Sequence, residues 1–124
     1  MTHTPDFTDA LVFTGGGTGG HFFPAVALAE GARKRWPGRS IVFIGATRGI
    51  EAKRLPEGGW PHVLLDVEGF LGRSPLAILR ALGKLWRARR RLLALWKHQR
   101  PAVVIATGGY GSAPAVLAAK ALGI

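Results

Sequence analysis

The sequence has 124 residues, which suffices for one α/β domain with a hydrophobic core and is too short for two. Hydrophobic residues make up 48%, which excludes a disordered chain, and the lack of cysteine excludes disulfides and thiolate metal sites. The net charge of +10, from 17 Lys and Arg against 7 Asp and Glu, favours an anionic partner: a nucleic acid, a phosphate-bearing ligand or an anionic membrane.

Strands, glycine loops and helices alternate along the chain. In chain order we predict a strand at 10–14, a first glycine loop at 15–20, a helix at 24–36, a strand at 40–45, a short helix at 50–55, a strand at 61–67, a second glycine loop at 68–74, a helix at 75–99, a strand at 102–106, a third glycine loop at 107–112 and a helix at 114–122. The strands at 40–45 and 102–106 are expected to be buried, and Pro24 is expected in the first turn of its helix.

This alternation predicts an α/β fold, a Rossmann-like parallel sheet with right-handed crossovers and helices on both faces. Ligands of such sheets bind beyond the carboxyl ends of the strands. Because all three glycine loops follow strands, we expect them to meet at that edge. The repeat calls for a further strand after residue 124, so we expect one half of a longer protein, or a subunit that needs a partner chain.

The first glycine loop has five glycines in six residues, so its backbone can approach a ligand closely and offer N–H groups to a phosphate or diphosphate. A Walker A motif is excluded because His21, and not Lys, follows Gly20. A dinucleotide site for NAD would want an acidic residue at the end of the second strand, and none stands there. Arg48 leaves an NADP-binding Rossmann module as an alternative.

His21 stands beside the first glycine loop, at the entrance to a helix. An imidazole beside a phosphate site can act as a general base on a hydroxyl or donate to an anion. The alternative is a histidine that only caps or packs. The glycine loop next to it favours the functional interpretation.

Four segments together resemble one family: residues 15–25, 43–51, 69–73 and 107–114. They are similar to the MurG glycosyltransferases, in order and spacing, from about residue 11 to residue 124. That family has two domains of the GT-B type, an N-terminal one for the lipid-linked acceptor and a C-terminal one for the donor. The resemblance implies that residues 1–124 are the N-terminal acceptor-binding domain, that the donor-binding domain lies outside this chain, and that the fragment alone is inactive.

The activity implied by the resemblance is transfer of N-acetylglucosamine from UDP-N-acetylglucosamine to undecaprenyl-diphosphate-muramoyl-pentapeptide, the step from lipid I to lipid II in peptidoglycan synthesis. Inversion would follow from direct attack, with no cofactor and no metal. His21 would be the base for the acceptor 4-hydroxyl. Thr18, Gly19 and Gly20 would lie by the donor. The acceptor and its diphosphate would be held by Gly16, Gly17, Gly69, Gly72, Arg73, Gly108, Gly109, Tyr110 and Ser112. The family often carries Arg where Leu71 stands, and Arg73 would compensate.

The predicted helix at 75–99 is amphipathic and basic. One side carries apolar residues at helical spacing: Ile78, Leu82, Leu85, Trp86, Leu92, Leu93 and Trp96. Such a helix suits an anionic membrane, although an ordinary core-facing helix with a charged outer face is the alternative. The residues expected to contact a membrane are Arg80, Lys84, Trp86, Arg87 and Arg91. No role is assigned to Arg89, which falls within the apolar stripe.

We expect no signal peptide, because residues 1–9 carry two Asp and no Lys or Arg, and no apolar stretch reaches the roughly 18 residues that a membrane span needs. We therefore expect a peripheral protein on the cytoplasmic face of the cell membrane. A nucleic-acid partner is not expected, because basic residues are not interleaved with aromatic ones on a recognition element. A non-catalytic membrane-docking subunit of a split glycosyltransferase is a further alternative.

Overall fold

A computed structural model describes residues 4–124 of the chain. Its strands are β1 (Leu11–Thr14), β2 (Ile41–Ala46), β3 (His62–Leu65) and β4 (Val103–Ala106). Its helices are α1 (Gly19–Arg35), α2 (Glu51–Glu57), α3 (Pro75–His98) and α4 (Ala113–Leu122), and a 3-10 turn spans Tyr110–Ser112. The strands are parallel and form one sheet in the order β3-β2-β1-β4.

Helices cover both faces of this sheet. Successive side chains of a strand point to opposite faces, so Val12 and Val42, paired in register, lie on one face, and Phe13 and Phe43 lie on the other. The first face packs against α3 and α4, whose buried residues there are Ala88, Leu92, Trp96, Ala115, Ala118 and Ala119. The second face packs against α1 and α2, through Phe22, Ala25, Ala29, Ala32 and Leu55. The predicted fold class is confirmed.

The predicted start of the first helix was wrong. The structure begins α1 at Gly19, with Thr18 as its N-cap in extended conformation, so Pro24 is the sixth helical residue and lies beyond the first turn. Two glycines are poor helix formers, which is why the sequence pattern pointed to a later start. Since Pro24 has no N–H, the carbonyl of Gly20 lacks the backbone donor that a helix normally supplies. The other element boundaries differ from the prediction by about one or two residues.

The prediction that the fourth strand is buried also needs correction. Val103 is 40% exposed, and Ala106 at the other end of β4 is exposed as well. The cause is the strand order, because β4 lies at an edge of the sheet within residues 4–124 and pairs only with β1 there. Its apolar side chains therefore lack a neighbouring strand on one side.

Candidate active site at the glycine loops

The three glycine loops meet at the carboxyl edge of the sheet, as predicted. β1 and β4 are neighbours, and their following helices lie on opposite faces, so the gap between them is the switch point where open α/β sheets bind ligands. The N–H of Gly16 donates to the carbonyl of Gly108 at 3.3 Å, which joins the first loop to the third. The N–H of Thr107 donates to the carbonyl of Thr14 at 2.9 Å just below this contact.

Tyr110 brings the second loop into the same site. A Cβ built on Gly17 would come within 2.5 Å of the Tyr110 ring, and one built on Gly69 would come within 3.4 Å. The ring therefore lies between the first and second loops while its backbone belongs to the third. Burial raises the pKa of the Tyr110 phenol, the charge of Glu51 raises it further, and Arg48 opposes both. The hydroxyl is accordingly a protonated donor at neutral pH.

His21 is exposed in the first turn of α1, and the third loop holds its ring. Its Nδ1 lies 3.3 Å from the carbonyl oxygen of Thr107, and the ring packs over Gly108 and Gly109. The Thr107 hydroxyl in turn donates to the His21 carbonyl. Because a carbonyl oxygen can only accept, this contact favours the proton on Nδ1 and leaves Nε2 as a proton acceptor.

Two N–H groups of the first glycine loop that were expected to face a ligand are bonded inside the protein. Gly16 and Gly17 were predicted to hold a diphosphate, but the N–H of Gly16 bonds to Gly108 and that of Gly17 donates to the Glu51 carboxylate at 3.1 Å. These two glycines therefore shape the loop in the structure. The N–H groups of Gly19 and Gly20, in the first turn of α1, are among the donors of this loop that have no protein acceptor within residues 4–124.

Two further residues of the predicted acceptor set are engaged inside the protein. Ser112 is 6% exposed, and its hydroxyl donates to the carbonyl of Gly109 at 2.8 Å, so it stiffens the third loop. Arg73 donates to the carbonyl of Gly69 at 3.3 Å and pairs with Glu68. Gly72 forms an open turn with φ of 69° beside it.

Residues 11–124 match the glycosyltransferase family 28 N-terminal domain. The chain belongs to this family. It is 46% identical over 114 residues to the UDP-N-acetylglucosamine--N-acetylmuramyl-(pentapeptide) pyrophosphoryl-undecaprenol N-acetylglucosamine transferase of Anaeromyxobacter sp. (strain Fw109-5), with 92% of this chain and 30% of the relative covered. The transferase of the same name from Myxococcus xanthus (strain DK1622) is 42% identical over the same coverage.

The fold agrees with a solved structure as well. The crystal structure of Acinetobacter baumannii MurG matches with a TM-score of 0.76 and 29% identity, over 94% of this chain and 33% of that one. The resemblance to MurG inferred from the sequence motifs is thereby confirmed. The family 28 domain described here spans about a third of the length of these relatives.

A carboxylate surrounded by cations ties the second loop of the family 28 domain to α3. Glu68, whose side chain is 4% exposed, lies within 3.2 to 3.6 Å of four cationic side chains: Arg48, Arg73, Arg80 and Lys84. Burial raises the pKa of Glu68, but hydrogen bonds from Arg80 and Arg73 and the charge of Lys84 outweigh it and lower the pKa to about 2. The second loop therefore depends on an ionised Glu68.

This network changes the interpretation of two predicted membrane contacts. The Lys84 side chain is 14% exposed, and its ammonium lies 3.2 Å from Asp66 and 3.6 Å from Glu68, so it points into the protein. Arg80 remains exposed but donates to Glu68 at 3.2 Å. Periodicity placed these cations on an outer face, whereas the carboxylates that follow β3 attract them inward. Arg87 and Arg91 are exposed, as expected.

The apolar side predicted for α3 is divided in the structure. Leu92 and Trp96 are buried against the sheet, while Trp86 is 54% exposed. Trp86 belongs to an outer surface that we call the apolar face of α3, made by Leu76, Leu79, Leu82 and Trp86. The Arg89 guanidinium lies 5.0 Å from the centroid of the Trp86 ring, a cation–π contact that accounts for a cation within an apolar stripe.

Elsewhere in the domain, a cavity of about 700 Å³ is lined by Trp60, His62 and Arg91 among others. His62 begins β3, so this cavity opens at the amino end of the sheet, opposite to the glycine loops. Within residues 4–124 no group of three or more His, Asp or Glu is arranged to hold a metal ion. None of the helices in this part of the chain combines the length and the hydropathy that a membrane-spanning helix needs.

Glu51 is the site residue to which the sequence assigned no role. It is fully buried and bonds to the first loop, although it belongs to a segment, residues 43–51, that resembled the family. Apart from that segment, its signal in the sequence was an acidic residue shortly after the second strand, preceded by Gly45 and Gly49.

The Glu68 network predicts a pH dependence of stability. Because the folded state lowers the pKa of Glu68 from 4.5 to about 2, the stability it contributes is present above about pH 4.5 and is lost as the pH falls towards 2. We expect Glu68→Gln to reduce the free energy of unfolding at neutral pH. The difference in this free energy between variant and wild type should become smaller as the pH falls from about 4.5 towards 2. Urea unfolding at several pH values measures this difference.

The matched control is Glu57→Gln, because Glu57 pairs with Arg54 on the surface and is 49% exposed. The free energy of unfolding of Glu57→Gln should stay close to that of wild type at every pH. A difference between Glu68→Gln and wild type that is equally large at pH 7 and pH 2.5 would contradict the role given to the ion pairs.

Proposed function

We propose that this chain is the N-terminal, acceptor-binding half of an inverting glycosyltransferase. The enzyme would move N-acetylglucosamine from UDP-N-acetylglucosamine to a lipid-linked muramyl-pentapeptide diphosphate. Membership of family 28 and the names of the relatives support this substrate pair. Since the chain spans about 30% of those relatives, the donor-binding half would lie in the part that it does not match.

The observation that carries the proposal is the placement of His21. Its Nε2 is free to accept a proton, and the ring is held at the edge where the three loops meet. In the proposed reaction Nε2 takes the proton of the acceptor 4-hydroxyl while that oxygen attacks the anomeric carbon of the donor sugar. The bond from that carbon to the diphosphate breaks, its electron pair stays on the leaving UDP, and the configuration inverts.

The charges of the two diphosphates would be met by two groups of donors. The free N–H groups of Gly19 and Gly20 lie at the positive end of α1, which suits the donor side. On the acceptor side, the protonated hydroxyl of Tyr110 would donate to the diphosphate, and Arg48, whose charge lowers the pKa of that phenol, would add positive charge. Gly108 and Gly109, which pack against His21 and Gly16, would present the backbone of the third loop to the acceptor beside the base. Their φ values of 113° and 84° give this loop a conformation that residues with a side chain rarely adopt.

Two alternatives from the sequence are an NADP-binding module and a membrane-docking subunit. Arg48, on which an NADP site would depend, pairs with Glu68 and Asp66, and the relatives are transferases. The apolar face of α3 suits a membrane-docking subunit that works with a separate donor-binding chain as well as it suits the main proposal, and the names of the relatives favour the main proposal. The chimera experiment below distinguishes the two.

Membrane contact is part of both candidates. The side chains of Leu76, Leu79 and Trp86 are 77%, 65% and 54% exposed and lie on one side of α3. The exposed cations Arg87 and Arg91 lie on the same helix, where they would meet anionic headgroups. We propose that this surface holds the protein peripherally on the cytoplasmic face of the cell membrane.

Sugar transfer by a chimera tests the activity. In the chimera, residues 11–124 of this chain replace the matched segment of the Anaeromyxobacter transferase. It is given UDP-N-acetylglucosamine and a short-chain muramyl-pentapeptide diphosphate lipid. We expect transfer, and a loss of a hundredfold or more in kcat with His21→Ala, the size typical of a general base. The 124-residue chain alone should transfer nothing.

The control for His21 is His98→Ala, since His98 is exposed at the far end of α3. It should leave kcat unchanged. A folded chimera without transfer would refute the activity, and transfer that survives His21→Ala would refute the base. If activity returns only when the chain is mixed with a separately expressed remainder of the relative, the subunit candidate gains.

Vesicle binding tests the membrane surface. We expect the chain to cosediment with vesicles that contain anionic phosphatidylglycerol, and Trp86→Ser with Leu79→Ser to weaken binding tenfold or more. Burial of such side chains is worth about 1.5–3 kcal/mol each. Val116→Ser is the control, because Val116 is 43% exposed on a different helix, α4. Equal binding of all variants would exclude the apolar face of α3 as the contact.

A further inference from the structure

The centre of the site contains a buried carboxylate that the proposed reaction does not use. Glu51 is fully buried, and within residues 4–124 no cation pairs with it. Its oxygens accept from the N–H of Ala46 at 2.9 Å and from the N–H of Gly17 at 3.1 and 3.2 Å. Glu51 is also the first residue of α2, where a negative charge is stabilised by the helix dipole. Backbone N–H groups thus compensate this carboxylate.

Glycines from different parts of the site surround the carboxylate. A Cβ built on Gly16 or Gly49 would overlap the Glu51 carboxyl group, and one on Gly45 would come within 2.5 Å of its Cγ. A Cβ on Gly111 would lie 3.0 Å from a carboxylate oxygen. These glycines belong to the first loop, to β2, to the turn after β2 and to the third loop. Part of the glycine pattern therefore makes room for a side chain of the protein itself.

We infer that Glu51 is a positioning residue that fixes the first glycine loop against the third. By accepting from the N–H of Gly17, it turns that group inward and holds the segment that leads into Thr18 and His21. The outward donors of the first turn of α1 then keep a constant place relative to the third loop. As a role in sugar transfer, this inference rests on the proposed function.

Tyr110 connects the Glu51 carboxylate to the surface of the site. Its ring packs on Gly17, and Gly111, the next residue in the chain, lies against the Glu51 carboxylate. Apart from Glu51, the charged group that influences Tyr110 is Arg48, which acts in the opposite direction. The phenol is therefore a reporter of the carboxylate, and it is the only tyrosine of the chain.

The first test is an absorbance titration of Tyr110 in the 124-residue chain, with folding followed by circular dichroism at each pH. Glu51→Gln keeps the shape of the side chain and removes its charge. The phenol of this variant should titrate at a measurably lower pH than in wild type. Glu57→Gln, the same change at the other end of α2, should leave the titration unchanged. A Tyr110 titration that Glu51→Gln does not move would overturn the inference.

A second measurement does not require any variant to fold. In wild type, the amide of Gly17 belongs to an irregular loop, yet its acceptor is fully buried. Its hydrogen exchange should be slowed tenfold or more relative to the amide of Gly19, which has no protein acceptor. Equal exchange at the two amides would overturn the inference as well.

A third experiment, in the chimera of the Anaeromyxobacter transferase, tests whether Glu51 affects sugar transfer. Glu51→Gln should lower kcat tenfold or more with a smaller change in KM, because it displaces the base more than it removes substrate contacts. Glu51→Asp keeps the charge but shortens the side chain, so kcat should also fall while the Tyr110 titration stays high. Full activity of both variants would refute a positioning role. If the chimera transfers nothing with Glu51 intact, the proposed function fails. The Tyr110 titration and the Gly17 hydrogen exchange still test whether Glu51 positions the first glycine loop.

Discussion

The parallel pairing of β1 with β4 is the constraint on which the site depends. It places the ends of two strands side by side although about 90 residues separate them in the chain. The first and third glycine loops then start within hydrogen-bonding distance, and Gly16 bonds to Gly108. His21 acquires its Nδ1 partner from Thr107 for the same reason. Without this pairing His21 and the first turn of α1 would not lie against the third loop.

Glycine serves two purposes around this pairing. Gly19 and Gly20 begin α1 with N–H groups that have no protein acceptor within residues 4–124, whereas Gly16, Gly45, Gly49 and Gly111 leave room for the Glu51 side chain. The same residue type thus lines the outside and the inside of one loop. Charge is divided in a similar way. Glu68 and Asp66 engage part of the excess positive charge, and other cations stay on the surface of α3.

Local patterns were enough to predict the sheet, the crossovers and the edge where the loops meet, because apolar strand runs and glycine stops repeat regularly. These patterns gave wrong or no predictions where contacts between distant segments determine the local structure. The glycines at the start of α1 are weak helix formers, and tertiary contacts hold that turn: His21 contacts the third loop and Phe22 is buried in the core. Lys84 looked solvated by periodicity but finds Asp66 and Glu68, which precede it by 18 and 16 residues. The partners of Glu51 come from three separate segments, so no spacing rule could reveal them.

We propose that the glycine-loop edge of this domain binds the acceptor. An NMR titration of the 124-residue chain with a short-chain muramyl-pentapeptide diphosphate lipid, followed through backbone amides, tests this proposal. Binding at this edge should give saturable shifts at Gly20, Gly108 and Tyr110, with little change around Trp60 and His62 at the opposite end of the sheet. Shifts confined to that opposite cavity, or no saturable shifts at the glycine loops, would contradict it.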